Sequence, residues 1–198
     1  MRVGVMGGTF NPPHTGHLEA GRAVYEALGL DKILFIPTNV PPHKRLPAGS
    51  ATTEQRCEMV RLMLADCPWA ALSTIEIERG GASYTVETLR ALHATGRYGG
   101  LTLIVGTDMF LQFDAIWREP EEIARLADLA VVSRHAGDRA ALEGKAAELA
   151  DTLGVRASIV DAPVIDISST ELRSGEDFAR YTVPAVARFI RENRLYHR

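Results

Sequence analysis

The chain opens with the stretch MRVGVMGGTFNPPHTGH, residues 1–17, in which a short apolar run is followed by paired glycines, paired prolines and two histidines. The run at 3–6 predicts a buried strand, and a helical pattern from Thr15 predicts a helix directly after the loop. Glycine lets the backbone turn sharply and approach a ligand, and the start of a helix offers unpaired N–H groups. The stretch therefore predicts a phosphate-binding turn, although its spacing matches neither GxGxxG nor a Walker loop.

Short apolar runs alternate with longer segments of helical period along the rest of the chain. Strands are predicted at 3–6, 32–37, 72–77, 101–105, 129–133 and 157–160. Helices are predicted at 15–28, 85–94, 119–126, 139–153 and 184–193, and another at Thr52, which stands at capping-box spacing from Gln55. Unbroken Leu, Ile and Val runs favour strands buried on both faces. The βαβα order thus predicts an α/β fold, a doubly wound parallel sheet with helices on both faces, in one domain spanning 1–198.

The composition is that of an ordinary folded protein. Hydrophobic residues make up 46% and charged residues 24% of the 198 residues, which excludes a disordered chain. The net charge of −3 supplies no general attraction to nucleic acid or membranes, so an anionic ligand has to be held locally. Cys57 and Cys67 lack the CxxC spacing of zinc sites. No signal-type segment and no stretch of about 18 apolar residues occurs, so we expect a cytoplasmic protein without a membrane partner.

His14 and His17 are three residues apart at the predicted start of the first helix. This spacing lets both imidazoles face one anion, and Gly16 between them keeps the approach open. An isolated HxxH is more often a pair of surface histidines. Its combination with a strand end and paired glycines favours a phosphate site.

A second candidate anion site, ISSTELR, occupies residues 167–173. The simpler interpretation is that Ser168 and Glu171 form a capping box and that Arg173 lies on a solvated face. Hydroxyl and N–H groups at a helix start, with an arginine one turn later, equally suit a phosphate. At the end of the fourth strand, Asp108 is expected either to cap the following helix or to contact a ribose or an ATP-bound magnesium ion.

The first stretch resembles the GGTFDPxHxGH signature of the HxGH nucleotidyltransferases, and the second resembles their ISSTxxR signature. The resemblance implies a Rossmann-like nucleotidyltransferase fold in which His14, His17 and Arg173 are catalytic and stabilise charge while the α-phosphorus of ATP is attacked. It implies that ATP is bound by Gly7, Gly8, Thr9, Phe10, His14, His17, Gly106, Asp108, Ile167, Ser168, Ser169 and Arg173. Asn11 replaces the usual Asp, so this position keeps an oxygen acceptor but loses a charge.

Segments between these motifs are similar to the bacterial nicotinate-nucleotide adenylyltransferases: PPHK at 41–44, SYTVETL at 83–89, GTDMF at 106–110 and Trp117. The similarity implies that nicotinate mononucleotide is bound by Asn39, Lys44, Tyr84, Thr85, Trp117, Arg118 and Arg134. Trp117 would stack on the pyridine ring, and Lys44 would neutralise phosphate. His135 stands where the family has a proline beside Arg134.

The resemblance implies adenylyl transfer from ATP to nicotinate mononucleotide, which gives deamido-NAD and pyrophosphate. Mg²⁺ is expected to arrive with ATP, and no separate metal site in the protein is predicted. The alternatives are a related transferase acting on nicotinamide mononucleotide or phosphopantetheine, a cytidylyl reaction, and a nucleotide-binding regulator without activity. The basic tail at 188–198 gives little support to nucleic-acid binding, and the sequence is compatible with a homo-oligomer.

Overall fold

The computed structural model describes residues 1–42, 46–133, 136–163, 165, 167–175 and 177–196. Two residues implied in the acceptor site, Lys44 and Arg134, lie outside the described residues, as does His135.

The described residues form one sheet of six parallel strands in the order β3-β2-β1-β4-β5-β6. The strands are β1 (Arg2–Gly8), β2 (Lys32–Pro37), β3 (Ala70–Leu72), β4 (Gly100–Gly106), β5 (Asp128–Ser133) and β6 (Ala157–Asp161). The chain builds outward from β1 to β3, returns to pair β4 with β1, and then builds in the other direction. The order therefore reverses between β1 and β4, where doubly wound sheets bind ligands beyond the strand ends. The predicted fold class is confirmed.

Helices connect these strands. They are α1 (Thr15–Leu28), α2 (Thr53–Met63), α3 (Ile75–Arg79), α4 (Thr85–Ala94), α5 (Thr107–Leu111), α6 (Phe113–Ile116), α7 (Pro120–Leu126), α8 (Arg139–Leu153), α9 (Ser169–Arg173), α10 (Phe178–Tyr181) and α11 (Pro184–Glu192). The predicted bounds of α1, α4 and α8 are confirmed, and the Thr52–Gln55 capping box starts α2 as expected. No described helix is long and apolar enough to cross a membrane.

The core consists of two hydrophobic clusters, one on each face of the sheet. Successive strand residues alternate between them, because strand side chains point to opposite faces. In β2, Ile33 and Phe35 pack in one cluster with α1, α2 and α11, while Leu34 and Ile36 pack in the other with α4, α7 and α8. Helices therefore cover both faces, as predicted.

One strand prediction was wrong. The predicted strand 72–77 is only the end of a short edge strand, because β3 stops at Leu72 and Ile75–Arg79 forms helix α3. The Thr74 carbonyl accepts hydrogen bonds from the N–H groups of Ile77 and Glu78, which closes a helical turn. The two isoleucines resemble an alternating strand pattern, but among the described strands β3 pairs only with β2, and the chain turns away towards α4.

Candidate active site

The first turn differs from the one predicted. Gly7 and Gly8 are the last residues of β1, and the left-handed residue is Phe10, with a φ of 48°. Only Gly8 is needed for space: a Cβ there would lie 3.0 Å from the Phe10 ring, whereas a Cβ on Gly7 would face open space. The backbone therefore stays extended to the end of β1 and turns two residues later, at Phe10. The Phe10 side chain is buried.

The two signature histidines lie together at the start of α1. Their ring centroids are 3.8 Å apart, and the His14 N–H donates a hydrogen bond to Nδ1 of His17 at 3.2 Å. Because Nδ1 of His17 is the acceptor, the neutral ring carries its proton on Nε2 and can donate there. His14 is buried, and a Cβ on Gly16 would lie 2.9 Å from its Nδ1. Glycine at 16 therefore makes room for the imidazole of His14.

Asn11 holds the turn in place through all of its polar side-chain atoms. Its Nδ2 donates to Ser50 Oγ at 2.8 Å, and its Oδ1 accepts from the Tyr196 hydroxyl at 2.7 Å and from the Ala51 N–H at 3.3 Å. The peptide bond from Asn11 to Pro12 is cis. The oxygen acceptor expected at this position is therefore engaged within the protein.

The ISSTELR segment folds onto the first turn. Ser169 Oγ donates to the Pro12 carbonyl at 2.8 Å across 157 residues of sequence, and Arg173 donates to the Asn11 carbonyl at 2.5 Å. The capping box between Ser168 and Glu171 is present, and its hydrogen bonds lower the pKa of Glu171. The two ends of the chain therefore meet at one place, and the capping interpretation of Ser168 is correct at the same time.

A cavity of about 440 Å³ opens beyond the carboxyl ends of the central strands. This volume lies within the usual range of small-molecule sites. Its walls include Gly7, Gly8 and Thr9 from the first turn and Tyr84, Thr85, Trp117 and Arg118 from the predicted acceptor site. The structure thus joins the end of β1, the start of α4 and the loop before α7 in one wall.

Aromatic and cationic side chains form the acceptor end of the cavity. Trp117 is partly buried against Phe113, with ring centroids 5.6 Å apart, and its Nε1 donates to the Met109 carbonyl at 3.0 Å. The Arg118 guanidinium lies 4.5 Å from the centre of the Tyr84 ring. Trp117 is therefore a packing residue that also contributes to the cavity wall.

The other described residues of the predicted site do not line this cavity; they are Phe10, His14, His17, Asn39, Gly106, Asp108, Ile167, Ser168, Ser169 and Arg173. Asn39 donates from Nδ2 to the Gly81 carbonyl and from its N–H to Ser83 Oγ, so it ties β2 to the loop before α4. Asp108 is exposed in the first turn of α5, whose N-cap is Gly106, so the expectation that Asp108 caps this helix was wrong. Ile167 is buried and holds the start of the ISSTELR segment.

Sequence reasoning missed two buried polar residues around the site, Arg56 and Glu76, and the partly buried Tyr196. The helical period could have identified Arg56, because it stands at i, i+3, i+4 and i+7 spacing with the buried residues Met59, Val60 and Met63. Tyr196, near the end of the printed sequence, carried no comparable signal. Within the described residues, no group of three or more His, Cys, Asp or Glu side chains is arranged to hold a metal ion.

Comparisons with known proteins agree with this geometry. A model of the cytidylyltransferase-like family matches residues 5–175, so the chain belongs to that family. It is 37% identical to a Geotalea daltonii protein and 40% identical to a Symbiobacterium thermophilum protein, both named "Probable nicotinate-nucleotide adenylyltransferase". These matches cover 100% of this chain and 99% and 96% of the two relatives. Among the cytidylyltransferase-like proteins, the chain is therefore a member of the nicotinate-nucleotide adenylyltransferase family.

A solved structure has the same fold. It is described as Plasmodium falciparum nicotinic acid mononucleotide adenylyltransferase complexed with NaAD, and it matches with a TM-score of 0.77 at 16% identity. The match covers 98% of this chain and 97% of that chain. At this identity the likeness supports the fold alone.

Proposed function

We propose that this chain transfers the adenylyl group of ATP to nicotinate mononucleotide, giving deamido-NAD and pyrophosphate. The observation that carries the proposal is the single cavity that joins the Gly7–Thr9 backbone to the Tyr84 and Trp117 side chains. The names of the two relatives give the same reaction. In this proposal one domain, residues 1–198, carries the whole activity.

The reaction needs alignment and charge stabilisation more than proton transfer. The acceptor phosphate is already anionic, so it attacks the α-phosphorus of ATP in line without a general base while pyrophosphate leaves. His17, whose Nδ1 accepts from the His14 N–H so that the ring proton lies on Nε2, and Arg173, held at the Asn11 carbonyl, stabilise the negative charge that spreads over the phosphates. The ring of His14 lies against that of His17 at a tilt and holds it in place.

The acceptor is held at the other end of the cavity. The pyridine ring stacks on Trp117, and its carboxylate is bound by N–H groups at the first turn of α4, which begins at Thr85. Arg118, together with Lys44 and Arg134, supplies positive charge for the acceptor phosphate. Mg²⁺ enters as part of the ATP substrate and takes most of its ligands from phosphate and water.

The decisive test is pyrophosphate release from MgATP with a panel of acceptors: nicotinate mononucleotide, nicotinamide mononucleotide and phosphopantetheine. We expect the highest kcat/KM with nicotinate mononucleotide. The His17→Ala variant should raise the barrier by about 2–4 kcal/mol through loss of one charge-stabilising donor. A preference for another acceptor, or for CTP over ATP, would replace the proposed substrates. ATP binding without pyrophosphate release from any acceptor would indicate a regulator.

A further inference from the structure

Arg56 is a fully buried arginine on the apolar face of α2, behind the first turn. Such a residue is rare, because a buried charge is costly unless it is paired. Among the described residues, no carboxylate lies within ion-pair distance of Arg56, and Glu54 and Glu76 act on it only at longer range. Its position at the start of α2 adds to the cost, because the helix dipole is positive there.

The hydrogen bonds of Arg56 connect both halves of the site. Its Nη1 donates to the Thr9 carbonyl at 2.8 Å, on the phosphate-binding turn. Its Nη2 donates to Thr53 Oγ1 at 3.1 Å and approaches the Asn39 carbonyl at 3.5 Å, on the acceptor side. Its Nε has no hydrogen-bond partner within the described part of the chain. The guanidinium therefore joins the two loops but retains donor capacity and a full charge, since arginine stays protonated in proteins.

The bond to Thr9 fixes the direction of one peptide group. In a trans peptide the C=O and the next N–H point in opposite directions. Because the Thr9 carbonyl points back to Arg56, the N–H of Phe10 points to the other side of the turn. No described group accepts a hydrogen bond from this N–H. Phe10 is also left-handed, a conformation that a non-glycine residue keeps only when its surroundings hold it there.

We propose that Arg56 is a positioning residue for the nucleotide phosphates. It holds the Thr9–Phe10 peptide so that the Phe10 N–H faces a bound phosphate, and its buried charge lies behind the turn where the polyanion binds. The phosphates are the compensating charge that the described carboxylates do not provide. This inference rests on the proposed function only for phosphate binding at the turn, and it is independent of the acceptor.

The test measures binding of inorganic pyrophosphate by calorimetry, together with thermal unfolding of the unliganded protein. Arg56→Met keeps most of the side-chain volume but removes the donors and the charge. Arg56→Lys keeps the charge but loses the planar guanidinium, whose two Nη atoms donate to different groups. We expect pyrophosphate affinity to fall about tenfold or more in Arg56→Met and about threefold in Arg56→Lys, per mole of folded protein. Arg61→Met is the matched control, because Arg61 lies on the same helix, is exposed and pairs with Glu58.

A purely structural role would lower the unfolding temperature and leave the affinity of the folded molecules unchanged. Affinity within twofold of wild type in folded Arg56→Met therefore overturns the inference. If that variant does not fold, the same criterion applies to Arg56→Lys. The proposed function fails if the wild-type protein binds pyrophosphate but releases none from ATP with any acceptor. In that case the pyrophosphate affinities of the Arg56 variants still decide the inference about Arg56.

Discussion

At the start of α1, the space around a residue decides which side chain fits as much as its chemistry does. Gly16 shows this, because any Cβ there would overlap the ring of His14 at 2.9–3.0 Å. From the sequence, Gly16 was expected to keep the approach to an anion open. The structure shows that it makes room for the imidazole of His14.

Gly16→Ala should therefore displace the His14 imidazole and, through ring contact, that of His17. Because misplacement by about 1 Å can cost about a hundredfold in rate, we expect turnover to fall by roughly that factor while the circular dichroism spectrum is unchanged. Gly144→Ala is the matched control, since Gly144 lies in α8 with open space around it. Wild-type turnover in Gly16→Ala would show that His14 tolerates the shift.

At the scale of elements, the acceptor end of the cavity depends on how α4 meets the loop before α7. Arg90 of α4 donates to Glu119 at 2.6 Å, and Glu119 is left-handed with a φ of 55°. The preceding residue, Arg118, lies over the ring of Tyr84. Two elements that are distant in sequence thus orient one cation towards the cavity.

Arg118→Met should weaken acceptor binding selectively. It removes a cation–π contact worth about 0.5–1 kcal/mol and a charge for the acceptor phosphate. We expect the KM for nicotinate mononucleotide to rise about tenfold, by analogy with loss of a charged hydrogen bond, while the KM for ATP changes little. Arg125→Met, which removes an exposed arginine of α7 that pairs with Glu122, serves as control. Equal increases in both KM values would show that Arg118 does not distinguish the substrates.

Element boundaries also show what the sequence could predict. The apolar runs of β1, β2, β4, β5 and β6 were predicted within two residues, because buried parallel strands are long runs of Leu, Ile and Val. The edge strand β3 was misplaced, since a three-residue strand followed by a single helical turn has no distinct period. The short helices α6 and α10 were not predicted for the same reason, and α5 was expected only as the helix that Asp108 would cap.

At the scale of the whole molecule, Tyr196 and Asn11, 185 residues apart, are joined by a hydrogen bond. The Tyr196 ring packs against Phe178, and burial raises the pKa of its hydroxyl above the usual value. The segment after α11 therefore supports the turn at Asn11. The hydrogen bond from Tyr196 to Asn11 contributes to stability only while the Tyr196 hydroxyl keeps its proton.

This contact predicts a specific pH dependence. The unfolded tyrosine deprotonates at about pH 10, before the folded one, so the free energy of unfolding should fall as the pH rises above 10. Tyr196→Phe should lower the free energy of unfolding by about 1 kcal/mol at pH 8. Above pH 10, the free energy of unfolding of this variant should fall less than that of the wild type. Urea unfolding at pH 8 and pH 11 measures both effects. Tyr25→Phe, a matched change in the same core cluster, should keep the wild-type pH dependence. If the free energy of unfolding fell equally from pH 8 to pH 11 in Tyr196→Phe and wild type, the pH dependence would not come from Tyr196.

The sequence by itself determined the class of fold and located the two candidate anion-binding motifs, because both depend on local patterns: apolar runs, helical period, and histidines or hydroxyls at helix starts. Only the tertiary structure decided that Phe10 rather than a glycine makes the turn, that Asn39 binds the loop before α4 instead of lining the cavity, and that Arg56 and Tyr196 hold the first turn. Those outcomes depend on contacts between residues far apart in the chain. Such contacts leave no periodic signal along it, because they form only when the strands, helices and chain ends are packed together.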